Sequence, residues 1–197
     1  MRKTNSAKAV TAALAGAAAF VAFTSAAEAK VGEEKAGPLM GNFKLAPAVS
    51  FGDVGYFGTQ FAMELEIAYA VDDDDNAYLG FNPQFQFGGW GGATINLTGT
   101  FQYDIPIKAV TGLYLYPKIN LGLAIFTNRG YYGCGRFGCG GSGAEVAFAL
   151  QPEFGVKYNI FKNFHVLGEP LSFPIYIGSY TFAQWRFWLG CGFDVDP

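Results

Sequence analysis

Charge is scarce in this chain. Only 15% of its 197 residues are Asp, Glu, Lys or Arg, against roughly a quarter in an average globular domain. A surface wetted on all sides normally carries more charge than this, which argues against an ordinary soluble domain. Long apolar runs are missing as well. Beyond residue 30 no segment approaches the roughly 20 apolar residues that a spanning helix needs. Histidine occurs once, as His165, and cysteine three times, as Cys134, Cys139 and Cys191. The Cys134 and Cys139 pair has no His and no second Cys pair beside it, so zinc is disfavoured. No metal or cofactor is expected. Acidic residues outnumber basic ones by 16 to 13, and a nucleic-acid partner is disfavoured because phosphate binding needs a basic surface.

What is present begins at the amino terminus. Arg2, Lys3 and Lys8 form a basic head, Ala9 to Phe23 is an uncharged apolar run, and Ala27-Glu28-Ala29 follows. This is the layout of a secretory signal peptide, and the run is too short and too rich in Ala for a spanning helix. Residues 1–29 are therefore expected to be removed on export. Residues 30–41 read as a flexible lead-in containing Gly and Pro, and 42–197 as one domain. Losing Arg2, Lys3, Lys8 and Glu28 leaves an acidic surplus of five in residues 30–197.

Aromatic residues and glycine are abundant, with 20 Phe and 27 Gly. They fall into a strict alternation. Phe43, Leu45, Val49 and Phe51 share one face against Lys44, Ala46, Ala48 and Ser50. Phe61, Met63, Leu65, Ile67, Tyr69 and Val71 oppose Gln60, Ala62, Glu64, Glu66, Ala68 and Ala70. The same period of two runs through 78–87, 94–103, 113–125, 146–158 and 184–193, while 164–177 is less regular. Period two is a strand signal. Turn residues separate the runs, among them Asp72–Asn76, Asp104-Ile105-Pro106 and the Gly-rich stretch Arg129–Gly143. The count is eight strands, and the expected fold is an all-β, eight-stranded antiparallel transmembrane β-barrel. Apolar content without a spanning helix points the same way, because only every second residue of such a strand faces lipid. A soluble barrel would turn the apolar face inward and leave Ala, Gly, Thr, Asn and Gln to meet water, a poor surface. Pro47, Pro83, Pro117, Pro152 and Pro170 lie within the runs, and local bulges are expected at them because Pro cannot donate to a ladder.

The signal peptide, the eight alternating segments and the closing segment Trp185-Arg186-Phe187-Trp188-Leu189-Gly190-Cys191-Gly192-Phe193 together resemble the small outer-membrane β-barrel superfamily that includes outer-membrane proteins A and X. The resemblance covers about residues 40–193. It implies the outer membrane of a Gram-negative cell, with membrane lipid and the barrel assembly machinery as partners. Phe193 matches the aromatic of the family's carboxy-terminal assembly signal, although Asp194-Val195-Asp196-Pro197 follows it here. An architecture does not fix a function.

Candidate sites follow from the facing. Glu64, Glu66, Lys118, Glu153, Lys157 and Arg186 point into the lumen, where unpaired charge is costly, and are expected to pair in a structural network. A proton or ion path is the alternative. His165 has no obvious nucleophile or second base beside it, so catalysis is not expected. The acidic run Asp72–Asp75 lacks the spaced ligands and glycine of a calcium loop and reads as a solvated turn. Cys134 and Cys139 lie in one exported loop and are expected to form a disulfide, holding Tyr131, Tyr132, Arg136 and Phe137 as a contact tip for a surface ligand or partner protein. The expected role is structural or surface-interacting and non-enzymatic. The alternatives are a ligand-binding or small-pore protein and, with less support, a lipid-modifying enzyme.

Overall fold

The alternation builds strands, and the strands close on themselves. The computed structural model describes residues 37–51, 59–72, 74–88, 92–127, 144–178 and 181–195. The expected signal peptide and the cysteine loop, with Cys134, Cys139, Tyr131, Tyr132, Arg136 and Phe137, lie outside the described residues. Ten strands follow in order: β1 (Leu39–Phe51), β2 (Thr59–Ala70), β3 (Ala77–Gly88), β4 (Gly92–Tyr103), β5 (Ile105–Pro106), β6 (Leu113–Thr127), β7 (Glu145–Phe161), β8 (Phe164–Ser172), β9 (Ile175–Ile177) and β10 (Thr181–Val195).

They make eight staves. β5 is a two-residue hook on the start of β6. β8 and β9 form one stave interrupted at Phe173-Pro174, both pairing with β7 on one side and β10 on the other. Every pairing is antiparallel, and β1 pairs with β10, so the sheet closes into a ring with no free edge among the full staves. The major strands run 12 to 17 residues, apart from the interrupted stave. That exceeds the 9–11 residues that cross a hydrocarbon layer at a tilt. The barrel begins at Leu39, earlier than the expected residue 42. Met40 is already buried among Ala68, Ala70 and Tyr78, so the last residues of the expected lead-in belong to the first stave.

The facing is inverted relative to a soluble barrel. Ile67, Leu189, Phe193 and Val146 are each more than half exposed, while Lys44, Glu64, Lys157, Arg186 and His165 are fully buried. An exposed apolar belt around a polar interior is the arrangement that lipid stabilises and water does not.

The prolines mostly leave the ladders undisturbed, against the expectation of bulges. β1 with β2, β3 with β4 and β6 with β7 keep one register straight through Pro47, Pro83, Pro117 and Pro152. Each of these side chains lies on the outer side or at intermediate depth, and the strand loses one donor without gaining a residue. Pro170 differs. The registers of β8 shift on both sides of it, between Phe154 and Val156 on β7 and between Arg186 and Trp188 on β10. One extra residue is accommodated there as a bulge.

At the end carrying the starts of β1 and the finish of β10, the connections are short. Asp72 builds the first of them: its Oδ1 accepts from the backbone N–H of Asn76 and of Ala77, each at 2.8 Å. Asp75 adopts a left-handed φ of 53° in the same turn, a conformation Asp tolerates better than most residues. The acidic run is thus a turn held by its own carboxylate.

Candidate functional site

The lumen is where buried charge of both signs is concentrated, and it is layered along the barrel. The inward positions of β1 and β2 bring Lys44, Glu64 and Glu66 together, since Lys44 and Glu64 are register partners. Lys118 enters from β6 opposite Glu153 on β7, and Glu169 enters from β8. Lys44 Nζ lies 2.7 Å from Glu169 Oε1 and 3.1 Å from Glu66 Oε2, and it also contacts Glu64. Lys118 Nζ lies 2.7 Å from Glu153 Oε2, 3.1 Å from both Glu64 and Glu169, and 3.5 Å from Glu66. Glu169 Oε1 is a hub, accepting from Lys44, Lys118 and the Tyr116 hydroxyl. Neutral donors add to the shell: Asn120 and Ser172 donate to Glu153, Gln84 to Glu64 and Asn42 to Glu66, while Glu66 Oε1 and Glu169 Oε2 have no hydrogen-bond partner among the described residues.

Glu64, Glu153 and Glu169 converge closely enough to suggest a cation site. The Lys118 ammonium already stands among them, within 3.1 Å of all three. The cluster is therefore an internal ion-pair network, and no metal is assigned to it.

Four of the six expected lumen charges, Glu64, Glu66, Lys118 and Glu153, meet in this cluster. The other two are buried in the lumen but lie apart from it. Lys157 contacts Asp104 just beyond β4. Its ammonium also lies over the rings of Tyr78 and Tyr114, at 5.3 and 5.5 Å from their centroids, a favourable setting for a desolvated cation. Arg186 has no carboxylate within ion-pair distance among the described residues. Its guanidinium donates to Gln84 at 2.6 Å, Gln86 at 2.7 Å and Gln184 at 3.0 Å, and to the Tyr176 hydroxyl. It lies over the Trp188 ring, 5.7 Å from the centroid. The two terminal nitrogens thus find neutral acceptors, while the buried Nε has no hydrogen-bond partner among the described residues.

Lys44, Asp104, Glu169 and Asp194 are the lumen charges the sequence reading missed. Lys44 had been placed on the inward face and only needed counting. Glu169 is found by stepping in twos from His165, up to the bulge at Pro170. Asp104 had been assigned to a turn, and Asp194 follows the last alternating residue.

His165 is buried with both ring nitrogens engaged, Nδ1 at 2.8 Å from Asp194 Oδ2 and Nε2 at 2.7 Å from Asn42 Oδ1. Ser172 is far from it in role, donating to Glu153 and accepting from the Trp188 indole. The arrangement holds side chains in place and offers no activated nucleophile.

Towards the opposite end the lumen becomes apolar. Phe126, Tyr176 and Phe182 pack ring against ring at 4.9 to 5.6 Å between centroids, backed by Ala124, Ala147 and Ala149. Trp188 fills the bore against Ala46 and Ala62. A narrow eight-stranded barrel is wide enough for side chains to fill it, and here large side chains do so from the charged layer to the aromatic one.

No family model matches this chain, and no curated protein sequence matches it. Solved structures do. The Neisserial surface protein A superposes with a TM-score of 0.57 at 11% identity, over 79% of this chain and 96% of that one. The amino-terminal β-barrel domain of Pseudomonas aeruginosa OprF gives 0.52 at 18% identity, over 80% and 98%. Yersinia pestis Ail, the attachment invasion locus protein, in complex with the heparin analogue sucrose octasulfate, gives 0.50 at 16% identity, over 80% and 98%. The ring of eight antiparallel staves, the apolar exterior and these likenesses agree: the chain has the fold of the small eight-stranded outer-membrane β-barrels.

Proposed function

We propose that this chain is a closed, non-catalytic anchor in the outer membrane of a Gram-negative cell, presenting its long connections at the cell surface in a structural or contact role. The observation that carries the reading is the filled lumen. Arg186, Trp188, Tyr176, Tyr116 and the Lys44–Lys118 cluster are all buried and mutually bonded, which leaves the interior to hold the barrel together. Function then falls to the connections on the side away from the chain ends, above all residues 128–143, where the sequence places Tyr131, Tyr132, Arg136 and Phe137 beside Cys134 and Cys139. Phe193, exposed on the outer side of β10 and tilted against the Phe164 ring at 5.3 Å between centroids, supports the reading of the closing strand as an assembly signal.

The experiment is twofold. Purified protein in planar bilayers is expected to show no steady conductance, and a reproducible open level would favour a pore. Whole cells with and without the gene are then compared for binding to a panel of sugars, including a sulfated saccharide, and to host-type proteins. Binding lost on replacing residues 131–137 with Gly and Ser, with the barrel still folded, supports the contact role. A change in the lipid A mass spectrum between the two strains would point to an enzyme.

A further inference from the structure

Four residues occupy one row across four neighbouring strands. Gly192 on β10 is the register partner of His165 on β8 and of Asn42 on β1, and Asn42 is the partner of Glu66 on β2. Gly192 contributes no side chain, so the imidazole and the amide meet over the closing strand. A Cβ at Gly192 would lie 2.1 Å from Asn42 Oδ1 and 2.4 Å from His165 Nε2. The chain of contacts runs from Asp194 to His165 Nδ1, from His165 Nε2 to Asn42 Oδ1 at 2.7 Å, and from Asn42 Nδ2, which donates to Glu66 Oε2 at 3.0 Å. All of these side chains are buried.

An amide has one end that donates and one that accepts. While Asn42 Nδ2 faces an ionised Glu66, Oδ1 faces the ring, and Nε2 must bring a hydrogen. Nδ1 brings another to the Asp194 carboxylate, so the ring carries both. If Nε2 loses its hydrogen, two lone pairs confront each other. Rotating the amide by half a turn relieves that contact by pointing Nδ2 at the ring, but it then points Oδ1 at Glu66, which must hold a proton to donate. A third arrangement leaves the amide as it stands and moves the Nδ1 hydrogen to Asp194, which then donates to a neutral ring. All three place one proton on the set of Asp194, His165 and Glu66. A neutral ring with Asp194 and Glu66 both ionised leaves an unmatched buried contact whichever way the amide lies, and buried polar groups are seldom left so.

We propose that Asp194, His165 and Glu66 form a single one-proton site, joined by the Asn42 amide, that ties β8 to β1 over the closing strand. The charged groups acting on it are Lys157 on β7 and Asp104 beyond β4 at the ring, and Lys44 on β1 and Lys118 on β6 at Glu66. A proton that leaves Nε2 appears on Glu66 Oε2 with the amide rotated by half a turn, and one that leaves Nδ1 appears on Asp194 with the amide unmoved. The site stands independently of any surface role.

The test exploits the single histidine. The full mature chain, refolded in lipid without a histidine tag, is labelled with ¹⁵N-histidine, ¹³C-glutamate and ¹³C-aspartate, and Glu66 and Asp194 are assigned by difference against Glu66→Gln and Asp194→Asn. At neutral pH the expected result is a doubly protonated ring with both acids ionised, or a neutral ring with one of the two acids protonated. Asn42→Leu is expected to break the relation and allow a neutral ring beside two ionised acids. Asn42→Ala, which removes the bridge without adding bulk, should do the same if Asn42→Leu fails to fold. A neutral ring beside ionised Asp194 and Glu66 in the unsubstituted protein overturns the proposal, and so does a relation unchanged in the folded variant.

Discussion

Lys118 on β6 and Glu153 on β7 face each other as register partners, with the ammonium 2.7 Å from Glu153 Oε2 and three further carboxylates within 3.5 Å. Lys118 and Lys44 together stand among four buried acids, and among the described residues Glu153 is paired by Lys118 alone. Removing Lys118 takes the ion partner from Glu153 and leaves Lys44 with the other three, and breaking a buried pair from one side typically costs about 3–5 kcal/mol. Lys118→Met is expected to destabilise by about that amount in urea unfolding from lipid vesicles. Adding Glu153→Gln should recover part of the loss. Strict additivity of the two changes would mean the cluster does not act as a network.

Lys157 belongs to a different pair. Its ion partner is Asp104, whereas that of Glu153 is Lys118. In double-mutant cycles Lys157→Ala should couple to Asp104→Asn by at least about 1 kcal/mol and add to Glu153→Gln with a residual near zero, since separate sites add. Coupling of Lys157 to Glu153 would contradict the observed pairing.

Trp188 is the largest fully buried side chain and packs against Ala46 and Ala62. Trp188→Ala leaves a void that two alanines cannot fill, with a cost of about 3–5 kcal/mol. The same change removes a block from the bore, so brief conductance events are expected in planar bilayers where the unsubstituted protein gives none. An unchanged unfolding midpoint would show that the ring is not a packing element.

The exposed belt predicts depth and environment. Spin labels at Leu65, Ile67, Leu97 and Leu189, all exposed, and at Leu115 on the same outer face of β6, should relax faster with oxygen than with a water-soluble nickel reagent. The reverse at most of these positions would place the belt in water.

Peptide mapping without reductant should recover Cys134 and Cys139 as one linked pair, with Cys191, half-buried on the outer side of β10, as a free thiol. The linked ring is small, so its stabilisation is only about 2 kcal/mol by loop-entropy reasoning. Replacing both with Ser is expected to leave unfolding nearly unchanged while weakening surface binding. A link from either residue to Cys191 would exclude the pairing.

The fold was largely legible because period two is a property of one strand at a time. Residues 60–71 show which way Glu64 and Glu66 point without help from any other segment. The partner of each charge was not legible in that way. It depends on the stagger between strands, which brings Glu169 to Lys44 across 125 residues of chain. A bulge at Pro170 shifts that stagger locally, so counting in twos carries to Glu169 and not beyond. Glu153 and Lys157 both lie inward on β7, but two inward residues four apart on one strand sit in different layers of the lumen and take different partners. Arg186 was expected to find an acid because it is a charge. The structure surrounds it with amides and a phenol, which a list of charged residues does not reveal.

The pairing of β1 with β10 has a temporal consequence. The seam that completes the ring joins β1, which begins at Leu39, to β10, which ends at Val195. Contacts between such distant segments form slowly, and until β10 is present β1 keeps an open row of backbone donors and acceptors, the kind of edge that recruits other chains. The barrel can therefore close only once the residues of β10 have been made. A carrier must hold the whole chain apart from its copies until then, and a message truncated before residue 181 yields a sticky fragment with no smaller barrel to fall back on.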